Sequence, residues 1–175
     1  VGSVSSTVYV SDAGSINDVN ITNLDITHTW VGDLDILITS PAGTTVTLIN
    51  NVCAYNQFHN LDLNIDDSGS AYGSIPCPPT GGGTYQPSTA LSAFNGQDPV
   101  GTWTLTVIDE VAMDGGTLNS WTLELDIGAG GGGGGPQSIS SQIANGSDDA
   151  EEDLSDGSMD LTNSDLELVS DGSTE

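Results

Sequence analysis

Residues 28–44 read HTWVGDLDILITSPAGT and carry the pattern of a short β-strand. From position 34 the side chains alternate, with Leu34, Ile36 and Ile38 on one face of an extended chain and Asp35, Leu37 and Thr39 on the other. This period of two predicts a strand with one buried face. Turn-forming residues bound it on both sides, VGD before it and SPAG after it, because proline presets φ and glycine tolerates a positive φ.

Related patterns recur on both sides of this strand. Residues 4–10 and 19–30 predict two strands separated by a turn cluster. In the second of them His28 shares a face with Leu24, Ile26 and Trp30, which places it in a core-facing row. A histidine in such a row is typical of a hydrogen-bonded structural residue.

Further strands are predicted after residue 44, around a long irregular region at 51–91. They cover 45–50, which forms a hairpin with the strand at 34–39, then 61–65, 102–108 and 120–127. The run DDSG at 66–69 is expected to end the strand at 61–65. Seven or eight short strands without helical periodicity predict an all-β sandwich.

Two blocks of sequence resemble one known family. The first contains HTW at 28–30, GDLDI at 32–36 and SPAGT at 40–44; the second contains FNG at 94–96, GTWTLTVID at 101–109 and DGGTLNSWTLEL at 114–125. Together they are similar to the P domain (P/Homo B domain), which follows the catalytic domain in subtilisin-like proprotein convertases and in many secreted bacterial proteases. The resemblance covers roughly residues 4–128 and implies a jelly-roll-like β-sandwich. It also implies that the histidine of HTW belongs to the fold motif and that the protease active site lies in a separate, preceding domain.

The chain has no basic side chain to balance its acids. Its 175 residues include 25 Asp and Glu but no Lys or Arg. Crowded carboxylates must therefore be relieved by solvent, salt or bound cations, and nucleic acid is excluded as a direct partner. Calcium, which prefers oxygen ligands, is the expected cofactor. A solvated acidic surface suited to seawater or brine is the alternative explanation.

Two groups of acidic residues are the candidate calcium ligands. Asp33 and Asp35 flank the start of the strand that begins at Leu34, and Asp109, Glu110 and Asp114 lie in the loop after residue 108. These residues can converge on a hard cation together with backbone carbonyls, although neither group has the EF-hand pattern. The alternative is that Asp33 and Asp109 accept backbone N–H bonds within turns.

Cys53 and Cys77 are the only cysteines, and the segment between them is rich in Gly, Ser and Pro. An even pair in a chain that otherwise has the features of a secreted protein favours a disulfide over a metal site. Two free buried thiols remain the alternative. Asn20 and Asn145 begin weak N-glycosylation sequons, which matter only if the source organism glycosylates secreted proteins.

The composition changes after the last predicted strand. Residues 1–128 are the predicted sandwich, and 129–136, mostly glycine, have the composition of a flexible linker. Residues 137–175 contain 11 of the 25 acidic residues and only short apolar runs. This tail is predicted to be the start of a further acidic β domain or a strand that pairs with a neighbouring copy's sheet edge.

No motif for catalysis is present. The sequence has no HExxH, GxSxG or Walker motif, and no apolar run long enough to span a membrane. We therefore expect a non-catalytic, calcium-stabilised accessory module of a secreted or cell-surface bacterial protein, attached to a protease domain. The alternative is a structural subunit of an extracellular fibre or surface assembly, joined to other copies through its tail strands. A carbohydrate-binding sandwich is the third hypothesis, weakened because the three tryptophans mostly occupy core-facing rows.

Overall fold

The computed structural model describes residues 2–54, 57–111, 115–129, 137–142, 151–153 and 158–160. Three short 3-10 helices, Val31–Asp33, Tyr72–Ser74 and Leu91–Phe94, interrupt the strands of this part of the chain. The strands are β1 Gly2–Val10, β2 Gly14–His28, β3 Leu34–Thr39, β4 Thr45–Asn50, β5 Leu61–Ser70, β6 Gly83–Tyr85, β7 Gly101–Asp109, β8 Gly116–Ala129, β9 Gln137–Gln142, β10 Glu151–Asp153 and β11 Ser158–Asp160.

Two sheets form the sandwich. Sheet A has the strand order β1-β7-β3-β4, and sheet B has the order β6-β5-β2-β8-β9. The strand pairs are antiparallel except for β5 and β6, which run parallel, and β10 and β11 form a separate antiparallel pair. Because the first two strands lie in different sheets and β3 returns to sheet A, the chain crosses repeatedly between the two layers. The predicted all-β sandwich is confirmed.

Alternating apolar rows from the two sheets build one core. The predicted row Leu34, Ile36 and Ile38 is fully buried, as is the row of β7 that begins at Trp103. Phe94 packs edge-on against Trp103, with ring centroids 5.0 Å apart. The indole of Trp121 in β8 donates to the hydroxyl of Ser6 in β1 over 2.9 Å, so a buried polar bond also joins the sheets.

The boundaries of β2 differ from the prediction of 19–30. The strand begins at Gly14, because it pairs with the long β8 as far as Ala129, and it ends at His28. Asn23, at φ 51°, lies in a β-bulge, so that Ile21 and Leu24 both face the core although they are three residues apart. Trp30 follows the strand and is only half-buried.

The predicted end of the fifth strand at residues 66–69 is wrong. β5 continues to Ser70, which pairs with Tyr85 of the short parallel strand β6. Gly69 makes this possible, because a Cβ at that position would lie 2.8 Å from the backbone of Tyr85. The irregular region predicted at 51–91 therefore contains a strand that only a distant partner reveals.

The two family-like sequence blocks meet in space. The SPAG turn is closed by the Gly43 N–H, which donates to the Ser40 carbonyl over 2.9 Å, and Gly43 has the positive φ expected of it. Gln97 bridges this turn: its amide oxygen accepts from the Ser40 hydroxyl and its amide nitrogen donates to Thr44, both over 2.9 Å. Gly101, at φ 128°, lies directly on the ring of Pro41.

A disulfide joins Cys53 to Cys77, as predicted. It closes a loop across 24 positions of sequence, and the chain-entropy model assigns such a loop a stabilisation of about 3 kcal/mol. A search for membrane-crossing helices, confined to the described positions, finds none of sufficient length and apolarity.

Tyr72 closes the end of β4 from the second 3-10 helix. Its hydroxyl accepts from the Asn50 N–H over 2.9 Å and donates to the Asn50 carbonyl over 3.0 Å. Burial raises the pKa of Tyr72 above its usual 10.0, and the nearby Asp35 carboxylate acts in the same direction while the bond from the Asn50 N–H opposes it. Ionisation of Tyr72 is therefore disfavoured in the folded protein.

The pKa of Tyr72 is higher in the folded chain than in the unfolded chain. The stability that this difference contributes is therefore complete below pH ~10 and is lost as the pH rises through the pKa of the folded state. We predict that Tyr72→Phe lowers the free energy of unfolding by about 1 kcal/mol at pH ~7, because two hydrogen bonds to Asn50 are lost. The difference between wild type and variant should shrink above pH ~10. Urea unfolding across this range measures it, with Tyr9→Phe, at a side chain 64% exposed, as the control. A difference that stays constant at high pH contradicts this assignment.

Candidate calcium site at one end of the sandwich

Strand register gathers part of the predicted ligand set at one end of the sandwich. Asp109, the last residue of β7, is paired with Gly2 on one side and with Leu34 on the other. Asp33 immediately precedes β3, Glu110 immediately follows β7, and the Glu110 N–H donates to the Asp33 carbonyl over 3.0 Å. These acidic residues of two separate sequence blocks are therefore neighbours in the fold.

The Asp109 carboxylate points into the core. The residue is fully buried, and its Oδ1 accepts from the Val111 N–H over 3.1 Å, which is the turn-capping role considered as the alternative. Its Oδ2 faces Nε2 of His28 at 3.7 Å. That separation exceeds hydrogen-bond distance, and both atoms are without a hydrogen-bond partner among the described residues.

His28 is the core residue that the sequence predicts, with 1% exposure. Its Nδ1 accepts from the Trp30 N–H over 3.0 Å, so the neutral ring carries its proton on Nε2, which is directed at Asp109. Gly116 packs against the ring, since a Cβ there would lie 2.6 Å from Cδ2 of the imidazole. The pair connects the end of β2 in sheet B with the end of β7 in sheet A.

Asp35, another predicted ligand, lies away from Asp33 and Glu110. Asp35 is on the outer face of β3, where its Oδ1 accepts from the Asn50 side chain over 2.8 Å. Asp114 lies outside the described residues. Within the described ranges, no three His, Cys, Asp or Glu side chains form a group that could hold a metal ion.

The donor chemistry of this end nevertheless suits a hard cation. Asp33 is partly buried and Glu110 is exposed, and the hydrogen bond between their backbones keeps them close. Carboxylates and backbone carbonyls are the ligands that calcium prefers, but calcium takes six to eight oxygens. Asp33 and Glu110 alone are therefore a partial shell that needs further donors from the adjoining loop.

Asn20, the first residue of one predicted glycosylation sequon, lies on β2. The side-chain nitrogen of Asn20 donates to Asp18 over 3.0 Å, and its amide oxygen is buried. The Asn20 amide is therefore already engaged on the surface of β2. Asn145 lies outside the described residues.

Two roles of acidic residues were not predicted. The core-facing row that starts at Trp103 continues in steps of two to Asp109, so the period alone could have indicated a buried carboxylate opposite His28. Asp67 accepts the N–H groups of Leu91 and Ser92, each over 2.8 Å, and so holds the third 3-10 helix. Asp67 and this helix are distant in sequence, so no local sequence pattern predicts the contact.

We predict a strong energetic coupling between His28 and Asp109. Asp109→Ala removes the carboxylate that faces the His28 N–H and leaves the Val111 N–H without its acceptor, and it should lower the free energy of unfolding by about 1–3 kcal/mol. Asp109→Asn keeps an oxygen for the Val111 N–H and should cost less. A double-mutant cycle with His28→Gln, measured by urea unfolding, should give a coupling energy of at least about 0.5 kcal/mol. Additive losses would show that the two side chains do not interact.

The sequence is similar to one protein family and to proteins of known name. The sequence model described as "Proprotein convertase P-domain" matches residues 16–125. The "Calcium-dependent protease" of Trichormus variabilis is 30% identical over 117 residues and that of Nostoc sp. is 29% identical over the same length, in each case 66% of this chain and 15% of the relative.

The solved structures that align include the serine protease of Aeromonas sobria, alone and in complex with the chaperone ORF2. Each aligns with a TM-score of 0.40, at 16% and 17% identity, over 81% of this chain and 20% of the protease chain. The chain thus spans a small fraction of the proteins that it matches. The family match itself includes β3, β7 and both sequence blocks that meet at the SPAG turn. This chain belongs to the proprotein convertase P-domain family.

Proposed function

We propose that this chain is a non-catalytic accessory domain of a secreted bacterial protease and that calcium stabilises it. The observation that carries the proposal is the family match over residues 16–125, which coincides with a sandwich that has its own core and its own inter-sheet bonds. Such a unit can fold beside a catalytic domain and support it without contributing to the reaction.

The placement of the histidines supports a non-catalytic role. The chain has only two, and His28 is buried with its ring directed at the Trp30 N–H and at Asp109. His59 is exposed, and no Lys or Arg is available to stabilise a developing oxyanion. Ser40, within the family-like block, is buried and donates its hydroxyl to Gln97. None of these groups is poised as a nucleophile or a base for a substrate in solvent.

The relatives support the proposed association with a protease. Both curated relatives are named calcium-dependent proteases, and the matched region is 15% of each. A catalytic domain therefore has ample room outside the region that this chain represents, and we place the present domain beside such a catalytic domain. Secretion fits the Cys53–Cys77 disulfide, since such bonds persist in oxidising compartments.

Calcium is proposed for the acidic end of the sandwich. Asp33 and Glu110 are the proposed protein ligands, because the hydrogen bond between their backbones keeps them close, and Asp114 is the further ligand that the sequence predicts. The names of the relatives and the lack of any basic side chain both favour a bound cation at this end. The alternative, a structural subunit of an extracellular assembly joined through its tail strands, stays a prediction.

We predict that calcium raises the melting temperature of the chain and that Asp33→Asn or Glu110→Gln reduces this increase. At a calcium concentration ~100 times Kd, linkage adds about 2.7 kcal/mol to the free energy of unfolding. The measurement is thermal unfolding with calcium, with magnesium and with chelator. Asp12→Asn is the matched control, because Asp12 follows β1 at its far end, where Val10 pairs with Gly101 rather than with Asp109.

Two outcomes would contradict the proposal. If calcium and magnesium raise the melting temperature of wild type and of all three variants equally, the effect is general screening and no calcium site exists at this end. If the purified chain hydrolyses denatured casein in calcium-containing buffer, the non-catalytic assignment fails.

A further inference from the structure

Strand β9 forms one edge of sheet B and lies beyond the part of the chain that the family model matches. The family match ends at residue 125, whereas β9 spans Gln137–Gln142 and pairs antiparallel with residues 120–125 of β8. Sheet B without β9 still has four strands, and among the residues whose burial the structure describes the core extends from Val8 to Ile127. In an exchange the β9 of the other copy restores the same pairs to β8.

We propose that β9 is an exchangeable strand, and that the β8 edge binds either its own β9 or the β9 of a second copy of this chain. The exchange produces a closed dimer in which each copy completes the other's sheet B. This proposal uses only the described strands and does not depend on the protease association.

The register of the β8–β9 pair supports exchange between two copies. Leu125 faces Gln137 and Ser120 faces Gln142, so residue i faces residue 262 − i along the whole pair. If the chain runs straight from β8 into β9, two copies can make the same pairs with each other about a two-fold axis at residue 131. That position is glycine and lies within the six consecutive glycines 130–135. The exchanged dimer therefore keeps each pair of the single chain and adds a symmetric crossing where side chains are absent.

The charge of the chain does not oppose pairing through this segment. The chain carries a formal charge of −25, so two copies repel each other overall. β9 reads QSISSQ and is uncharged. In the exchanged pair Glu124 faces Ser138, so β9 places no carboxylate opposite the carboxylate of this part of β8.

The connection between the strands is also longer than a hairpin requires. Eleven residues, 126–136, separate the paired positions 125 and 137, against the two to five that are usual in hairpins. β8 remains paired with β2 up to Ala129, so the chain must return about 14 Å from there to place Gln137 opposite Leu125. The eight residues from 129 to 137 span at most about 28 Å, which permits this return.

Shortening this connection separates the two modes of pairing. Deletion of Gly130–Gly135 leaves two steps, or about 7 Å of reach, so β9 cannot pair with its own β8 while β8 stays paired with β2. The exchanged pair survives, because an even deletion keeps the same faces and moves the two-fold axis to Gly128. Deletion of only Gly130–Gly132 leaves five steps, about 17 Å, which still reaches. It is the matched control.

The test is light scattering on the full chain and on both deletion variants, at matched concentrations. We expect the six-glycine deletion to be a dimer, and the wild type and the three-glycine deletion to be mainly monomeric. Adding Ile139→Pro and Ser140→Pro to the six-glycine deletion should return it to a monomer, because one of two adjacent N–H groups must point at β8. A folded six-glycine deletion that stays monomeric at every concentration overturns the proposal.

A second measurement keeps the natural connection and does not depend on the folding of a deletion variant. Full-length Glu124→Cys and Ser138→Cys chains are mixed, unfolded in urea, refolded together and oxidised. Exchange predicts a disulfide between the two chains, since residues 124 and 138 face each other. The control mixture is Glu124→Cys with Gln142→Cys, because residue 142 faces residue 120 instead. If the first mixture gives no more cross-linked dimer than the control, β9 is not exchanged.

Discussion

The absence of Lys and Arg is the constraint on which this structure depends. With 25 carboxylates and no basic partner, the fold must either keep its acids in water or satisfy them with neutral donors. Neutral donors recur at carboxylates across the described surface: the Asn50 amide bonds Asp35, the Thr22 hydroxyl bonds Glu124 and the Asn119 amide bonds Asp25. Hydrogen bonding from uncharged groups thus replaces the salt bridges of an ordinary protein.

The two outer faces of the sandwich divide the charge unequally. The outer face of sheet A is rich in hydroxyls, and one row across its four strands consists of Thr7, Thr104, Thr39 and Thr45. On sheet B, in contrast, carboxylates lie directly opposite each other, Asp25 with Asp62 and Asp18 with Asp126. Opposed like charges destabilise a sheet, so the core must offset them. Asp109 is the exception that enters the core, where His28 is the group that faces it.

Sequence periodicity predicted the strands in which the alternation of apolar and polar residues alone determines which side chains are buried. The rows beginning at Leu34 and at Trp103 alternate without interruption, and both are buried as expected. The bulge at Asn23 and the pairing of Ser70 with Tyr85 depend on partners far away in sequence, so no local pattern could place them. At the candidate site, the pairing of β3 with β7 brings Asp33 and Glu110 close together. That the Asp109 side chain points into the core and the Asp35 side chain points outward became clear only from the folded structure.

The central claim is that the apolar core stabilises the sandwich, whereas repulsion among surface carboxylates that have no counter-charge destabilises it. The salt dependence of the free energy of unfolding tests this claim. Calcium-free chain is unfolded with urea at ~0.01 M and at ~1 M NaCl, where the Debye length falls from about 30 Å to about 3 Å. The account predicts that the free energy of unfolding rises by about 1 kcal/mol or more with salt, since two directly opposed carboxylate pairs are relieved, while the slope against urea stays constant. A free energy of unfolding that is unchanged or lower at high salt would contradict it.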